Sequence, residues 1–286
     1  MNYTGHRRYL SHISGAKRGF YETVTDAVAD FAEHGYDAPE RLERWMREIR
    51  EAAERDAVSD ERLNDMLRRT LKGMYQKLVT DEGLLRYHPG VPRFTLAKVK
   101  PKLRAELDKR ILASANLIKL NRDAAIEKTL QRFSGWATSV PDGGSRVVDR
   151  RETKDDIRKS LVALPFEVRR VNIDQSHKFL ASLSEILAVD NGAIAGKWHS
   201  RFREAGYDYR EDHKERDEHV YAVRGSWAVE RGLINKGDGY TDEIERPAEL
   251  PYCRCHYKYL YALPALPDDM LTAKGRAALE AVRVAA

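Results

Sequence analysis

The chain has 286 residues, 42% of them hydrophobic and 33% charged. That is enough apolar material for a sizeable core in one large or two ordinary domains, and it excludes a globally disordered chain. The net charge of +5, from 50 basic and 45 acidic side chains, is too small a bias to identify a nucleic-acid binder by itself. No run of 18 apolar residues is present and the first twenty residues lack an apolar h-region, so neither a membrane span nor a secretory signal is expected, and folding in the cytoplasm is.

The first half reads as helices. Phe20, Val24, Val28 and Phe31 recur on a 3.6-residue period within a segment from Lys17 to His34, and Gly35 suits its C-terminal cap. Pro39 opens a second helix whose buried face carries Leu42, Trp45, Ile49 and Ala53. Ser59, Asp60 and Glu61 mark a third start, continued by Leu63, Leu67, Leu71, Met74 and Leu78 to about Thr80. Gly83, Pro89, Gly90 and Pro92 make Asp81–Phe94 a loop. A long helix is expected from Pro101 to about Trp136, with Leu103, Leu107, Ile111, Ala115 and Ile118 on one face.

Pro141, Asp142, Gly143 and Gly144 interrupt this pattern and place a domain boundary there. A helix from Thr153 should stop at Pro165, which lacks an amide donor, and another should run from Ile173 to about Val189. Short strands are expected at Ala193–His199, Val220–Val223 and Tyr252–Leu260. The expected fold class is α+β. A helical domain spans residues 1–140, a small α+β domain 141–263, and a tail 264–286 carries at most a short helix.

The chemistry-bearing residues gather late in the chain. Cys253 and Cys255 are the two cysteines. On a strand, side chains alternate, so a Cys-x-Cys pair presents both sulfurs to one face. Thiolates and imidazoles are the usual ligands of tetrahedral zinc. With His213 and with His219 or His256 as fourth ligand, the pair makes a candidate structural zinc site. The plainer alternative is two small buried thiols beside unrelated surface histidines. A catalytic alternative sets His213, flanked by Asp212 and Glu215, as base to a cysteine nucleophile whose pKa Arg254 lowers. No Gly-rich phosphate loop, Gly-x-Ser-x-Gly or His-Glu-x-x-His is present, so nucleotide, hydrolase and metalloprotease readings lack their usual physical parts.

Lys98, Lys100, Lys102 and Arg104, followed by Lys109 and Arg110, form a basic cluster interrupted by Glu106 and Asp108. It suits contact with DNA or, more simply, a solvated helix face. Tyr252, Tyr257, Tyr259 and Tyr261 interleave with Arg254 and Lys258, as a base-stacking strand or as one packed side of a sheet. Trp198 and Trp227 are expected core anchors.

Three pieces in order carry a resemblance. They are Gly192–Ser200 with Trp198, Arg210–Asp217 with His213, and Arg246–Pro251 leading into Tyr252-Cys-Arg-Cys255. From about Asn172 to Ala262 the chain resembles the phage Mu F-like minor head protein family, also called the phage head morphogenesis family. Glu218 stands where that family often has glycine, and Tyr252 replaces the asparagine of its closing Asn-Cys-Arg-Cys. The resemblance implies a minor capsid protein in the virion of a tailed phage, in several copies at the portal vertex or head interior. The implied partners are the portal protein, major capsid or scaffold proteins and packaged double-stranded DNA. It implies a part in head assembly, ejection with the DNA as a further expectation, and no enzymatic activity. The alternatives are a nucleic-acid-binding protein and a cysteine-dependent enzyme.

Overall fold

The computed structural model describes residues 18–80, 82–83, 88, 91–92 and 95–285, so the readings of the first residues and of most of the Asp81–Phe94 loop lie outside it. The described chain is mostly helical with one three-stranded antiparallel sheet, an α+β arrangement. By contact it divides into two units, Met1–Leu63 with Asn116–Arg169, and Asn64–Ala115 with Arg170–Ala286. The division is therefore not at the Pro141–Gly144 break. No helix among the described residues is long and apolar enough to cross a membrane.

In the first unit, α1 (Phe20–His34) and α2 (Pro39–Asp56) form where the apolar spacing and Pro39 predict. Phe20, Val24, Val28 and Phe31 bury against Leu42, Trp45 and Ile49, and against Ile126, Leu130 and Phe133 from a later helix. The Phe31 and Phe133 rings meet edge to face at 5.7 Å. The turn at Pro141–Gly144 belongs to this unit because it closes the end of α1. The Gly143 amide donates to the His34 carbonyl at 3.0 Å and the Ser145 amide to that of Ala32 at 2.9 Å, satisfying carbonyls left open at a helix end. Gly144, at φ +84°, lies so close to Glu33 that a Cβ would fall 2.3 Å from its carbonyl oxygen. A glycine pair that reads as a domain boundary in sequence is here part of a helix cap.

Helix α3 (Asp60–Leu78) starts after Ser59, whose hydroxyl accepts the Arg62 amide at 3.3 Å. Two long helices follow, α4 (Leu96–Ala137) and α5 (Arg150–Asp190), and both contain a proline that the sequence reading put at a helix edge. Helix α4 begins five residues before Pro101. That proline sits just past the first turn, where its missing amide forfeits only the bond to Ala97. Helix α5 continues through Pro165, which is exposed, so water can serve the carbonyl the ring leaves open. Buried Ile157 on one side and buried Val171, Phe179, Leu183 and Leu187 on the other hold the helix on both sides of the break.

The second unit carries the sheet, ordered β2 (Val220–Ala222), β1 (Ala195–His199), β3 (His256–Leu260). Ala195 pairs with Ala222 and Leu260, and these face an apolar cluster with Ile194, Leu263, Met270 and Leu271. Gly196 and Trp198 pair with Tyr221, Tyr259 and Tyr257 on the other face. A side chain at Gly196 would meet the Tyr257 ring at 3.0 Å, so glycine lets the tyrosine lie flat on β1. Short helices α6 (Glu211–Glu215) and α7 (Trp227–Glu230) connect the strands, and the tail forms a full helix, α8 (Ala273–Ala285).

Among the described residues, three that are not glycine adopt positive φ: Glu218 at 72°, Ala248 at 65° and Tyr252 at 62°. This region favours glycine and, after it, asparagine. Tyr252 is held there by its amide, which donates to the buried Asp174 carboxylate at 2.5 Å, and by Arg170 stacked 4.2 Å from its ring. Tyr252→Asn is expected to stay within about 1 kcal/mol of the parent in urea unfolding, losing the stack but easing the backbone. Tyr252→Val is expected to lose at least about 1 kcal/mol more, since a β-branched residue suffers most in the left-handed region. Equal midpoints for the two variants would refute the strain.

Candidate functional site

Three separated segments build one small site. Strand β1 ends at His199 and delivers Ser200 and Arg201, α6 holds His213, and the stretch before β3 holds Cys253 and Cys255. The cysteines lie just ahead of β3 rather than inside it, which corrects the strand expected from Tyr252. Their backbone nonetheless keeps the alternation of the strand, so Cys253, Cys255 and Tyr257 share the face of Trp198 and Tyr221 and pack as one cluster.

The geometry centres on one nitrogen. Cys253 Sγ lies 3.4 Å and Cys255 Sγ 3.6 Å from His213 Nδ1. The three residues are buried, and their donor atoms all fall within 4.8 Å of one another. A tetrahedral zinc with bonds of about 2.3 Å to sulfur and about 2.0 Å to nitrogen separates those donors by about 3.5 Å. A thiol–imidazole hydrogen bond gives a similar distance for one sulfur. A single ring nitrogen has one proton or one lone pair, so it serves one such bond, and the second sulfur is left without that role.

The surroundings favour sulfur anions. The Ala248 amide donates to Cys253 Sγ at 3.3 Å, from a residue at positive φ, and the Cys255 amide points at the same sulfur. The Arg201 amide addresses Cys255 Sγ, and the Cys255 thiol faces the Ser200 hydroxyl oxygen at 3.9 Å, donating to it. The Cys255 thiol and these amides push the Cys253 thiol down to about 4, while the Cys253 thiolate beside it and burial push Cys255 far up. The two thiols are thus pushed in opposite directions, Cys253 toward the thiolate and Cys255 toward the thiol. Trp198 closes one side, its ring edge to face with His213 at 5.2 Å.

The fourth ligand expected from sequence is not here. His219 is half-exposed and pairs with Asp238 at 3.3 Å. His256 stacks on His199 at 5.3 Å, because one step along the strand from Cys255 turns it to the opposite face. Among the described residues, no other cysteine, histidine, aspartate or glutamate joins the three. Glu215, expected beside His213 in the catalytic alternative, is exposed on α6, and both thiols are buried. Ser200, Ala248 and the two amides went unread in the sequence, since a backbone donor has no residue signature.

Lys98, Lys100, Lys102 and Arg104 are all exposed on α4. A spacing of two residues turns about 200° on a helix, so Lys98 and Lys102 fall on one face and Lys100 and Arg104 on nearly the opposite one. Lys102 is paired with Asp190 at 2.6 Å and Arg104 with Asp108 at 3.4 Å. The cluster does not form one cationic surface.

Comparison with protein-family models, with curated proteins and with solved structures finds no match to this chain.

The lowered Cys253 thiol makes a prediction for metal-free protein. Ultraviolet thiolate absorbance near neutral pH should correspond to one thiolate per folded chain and vanish in urea. Since folding lowers this thiol, the stability it contributes grows with pH from about 4 toward the ordinary thiol range. Above that range the raised Cys255 reverses the slope. A folded chain with no thiolate at neutral pH would contradict this.

Proposed function

We propose that the chain is a minor head protein of a tailed phage whose C-terminal α+β segment is stapled by zinc on His213, Cys253 and Cys255. The observation that carries the reading is the convergence of residues 40 and 42 positions apart onto one buried nitrogen. Those residues were singled out twice, by their ligand chemistry and by the resemblance to the Mu F-like family.

Two further observations support it. The three pieces that carry the resemblance touch one another. The Ser200 amide donates to Asp217 at 2.8 Å, Arg210 donates to the Pro251 carbonyl at 3.1 Å, and Trp198 lies on His213. The two places where this sequence departs from the family pattern, glycine to Glu218 and asparagine to Tyr252, both have positive φ. Glycine and asparagine are the residues most at ease there. The departures thus keep a backbone for which the family residues are suited.

In this reading zinc acts as a fold element, because a small three-stranded sheet gains stability from a metal that binds only the folded state. The protein is present in several copies at the portal vertex or head interior. Its partners are the portal protein, major capsid or scaffold proteins and packaged DNA. The burial of both thiols weighs against the cysteine-enzyme alternative, and the split basic residues weigh against a dedicated DNA-binding face.

The test is quantitative mass spectrometry of gradient-purified virions and emptied particles of the phage encoding the chain. The expected result is a few to a few tens of copies per filled head, and absence from particles overturns the head assignment. Separately, reduced protein purified without chelator should contain one zinc per chain, and Cys253→Ser should lose it together with several degrees of thermal stability. Metal-free wild-type protein of equal stability would overturn the staple.

A further inference from the structure

The far side of the His213 ring is as informative as the side facing the sulfurs. Nε2 is buried and has no hydrogen-bond partner, an arrangement that destabilises a folded protein. Two carboxylates stand just beyond bonding distance, Glu245 Oε2 at 3.7 Å and Asp212 Oδ2 at 3.8 Å. Both side chains are about half exposed, Glu245 at 47% and Asp212 at 50%, so rotation at the rim is enough to close either contact. They differ in their other partners. Asp212 also binds Arg216 at 3.1 Å, whereas Glu245 has no other ion pair among those described here, which leaves it the more available acceptor.

We infer that Glu245, assisted by Asp212, is the positioning residue of the metal centre, accepting a hydrogen bond from His213 Nε2–H. The inference rests on the zinc reading above and deepens it. An imidazole that gives its Nδ1 lone pair to a metal keeps its proton on Nε2, and that proton needs an acceptor. A carboxylate in that place fixes the tautomer, aims Nδ1 at the sulfurs and makes the ring a stronger donor. It also brings negative charge toward a site where two thiolates neutralise the dication, so the charge is placed one ring away from the metal rather than on it. Sequence gave no hint of Glu245, which sits 32 residues from His213 in a segment without helical or strand periodicity.

The test is zinc affinity of the full chain, measured by competition with a chromophoric chelator, for wild type, Glu245→Ala, Glu245→Gln and Asp212→Ala with Glu245→Ala. The expected result is a loss of about ten- to a hundredfold for Glu245→Ala, a larger loss for the double variant and partial recovery for Glu245→Gln, which keeps an acceptor. The unfolding midpoint of the metal-free protein should scarcely move. In the cobalt-substituted protein the visible bands should shift in the alanine variants and return toward wild type in the glutamine variant. Wild-type protein that binds no zinc removes the underlying metal reading. Wild type that binds while Glu245→Ala binds equally well overturns the positioning role alone. Two metals per chain would also overturn it, because Nε2 and its carboxylates would then hold a second cation. If the double variant does not fold, the single rim variant Glu245→Ala still decides by its affinity relative to wild type and to Glu245→Gln.

Discussion

Two buried sulfurs facing a single imidazole nitrogen set the terms for the whole end of the chain. Each thiol alone would be an unremarkable buried side chain, and His213 alone a buried ring. Together they bring two sulfurs and one imidazole nitrogen into a buried cluster beside Trp198. Such a group is stable only if the backbone supplies donors and if charge is balanced. The donors come from Ala248, Cys255 and Arg201. The end of β1, the helix α6 and the loop before β3 must therefore be in place simultaneously, and they form a cluster that could hold a metal ion.

The backbone strain has the same origin. Ala248 carries a methyl group at φ +65°, yet its amide is the one aimed at Cys253 Sγ. Tyr252, one residue before Cys253, is kept at positive φ by Asp174 on α5. Asp174 is itself buried and paired with Lys178 at 3.0 Å, so the long helix anchors the turn that presents the cysteines. Strain of this kind persists when surrounding contacts over-determine it, and it clusters where a site needs a particular presentation.

Much of this was legible in the sequence, for definable reasons. The apolar stripes of α1, α2 and α3 repeat on the helical period and bury as the period requires. Cys253, Cys255 and His213 announce themselves by residue type. What failed was what depends on distant packing. Pro101 and Pro165 read as helix edges because their local preference is strong, but buried residues on both sides carry the helices through. Gly143 and Gly144 read as a domain boundary because nothing local reveals that the amides of Gly143 and Ser145 cap α1. His219 and His256 read as ligands by proximity along the chain, while strand alternation and an ion pair take them elsewhere. Glu245 was invisible because it approaches His213 only through the fold.

The most direct measurement is X-ray absorption at the zinc edge on the purified, reduced protein. The account predicts two sulfur neighbours at about 2.3 Å and one imidazole nitrogen at about 2.0 Å, with a light atom completing the shell. Loss of the sulfur-bound zinc signal in Cys253→Ser would assign the first of these. A zinc shell of oxygen and nitrogen alone, unchanged by that substitution, would contradict the claim that these three residues form a metal centre.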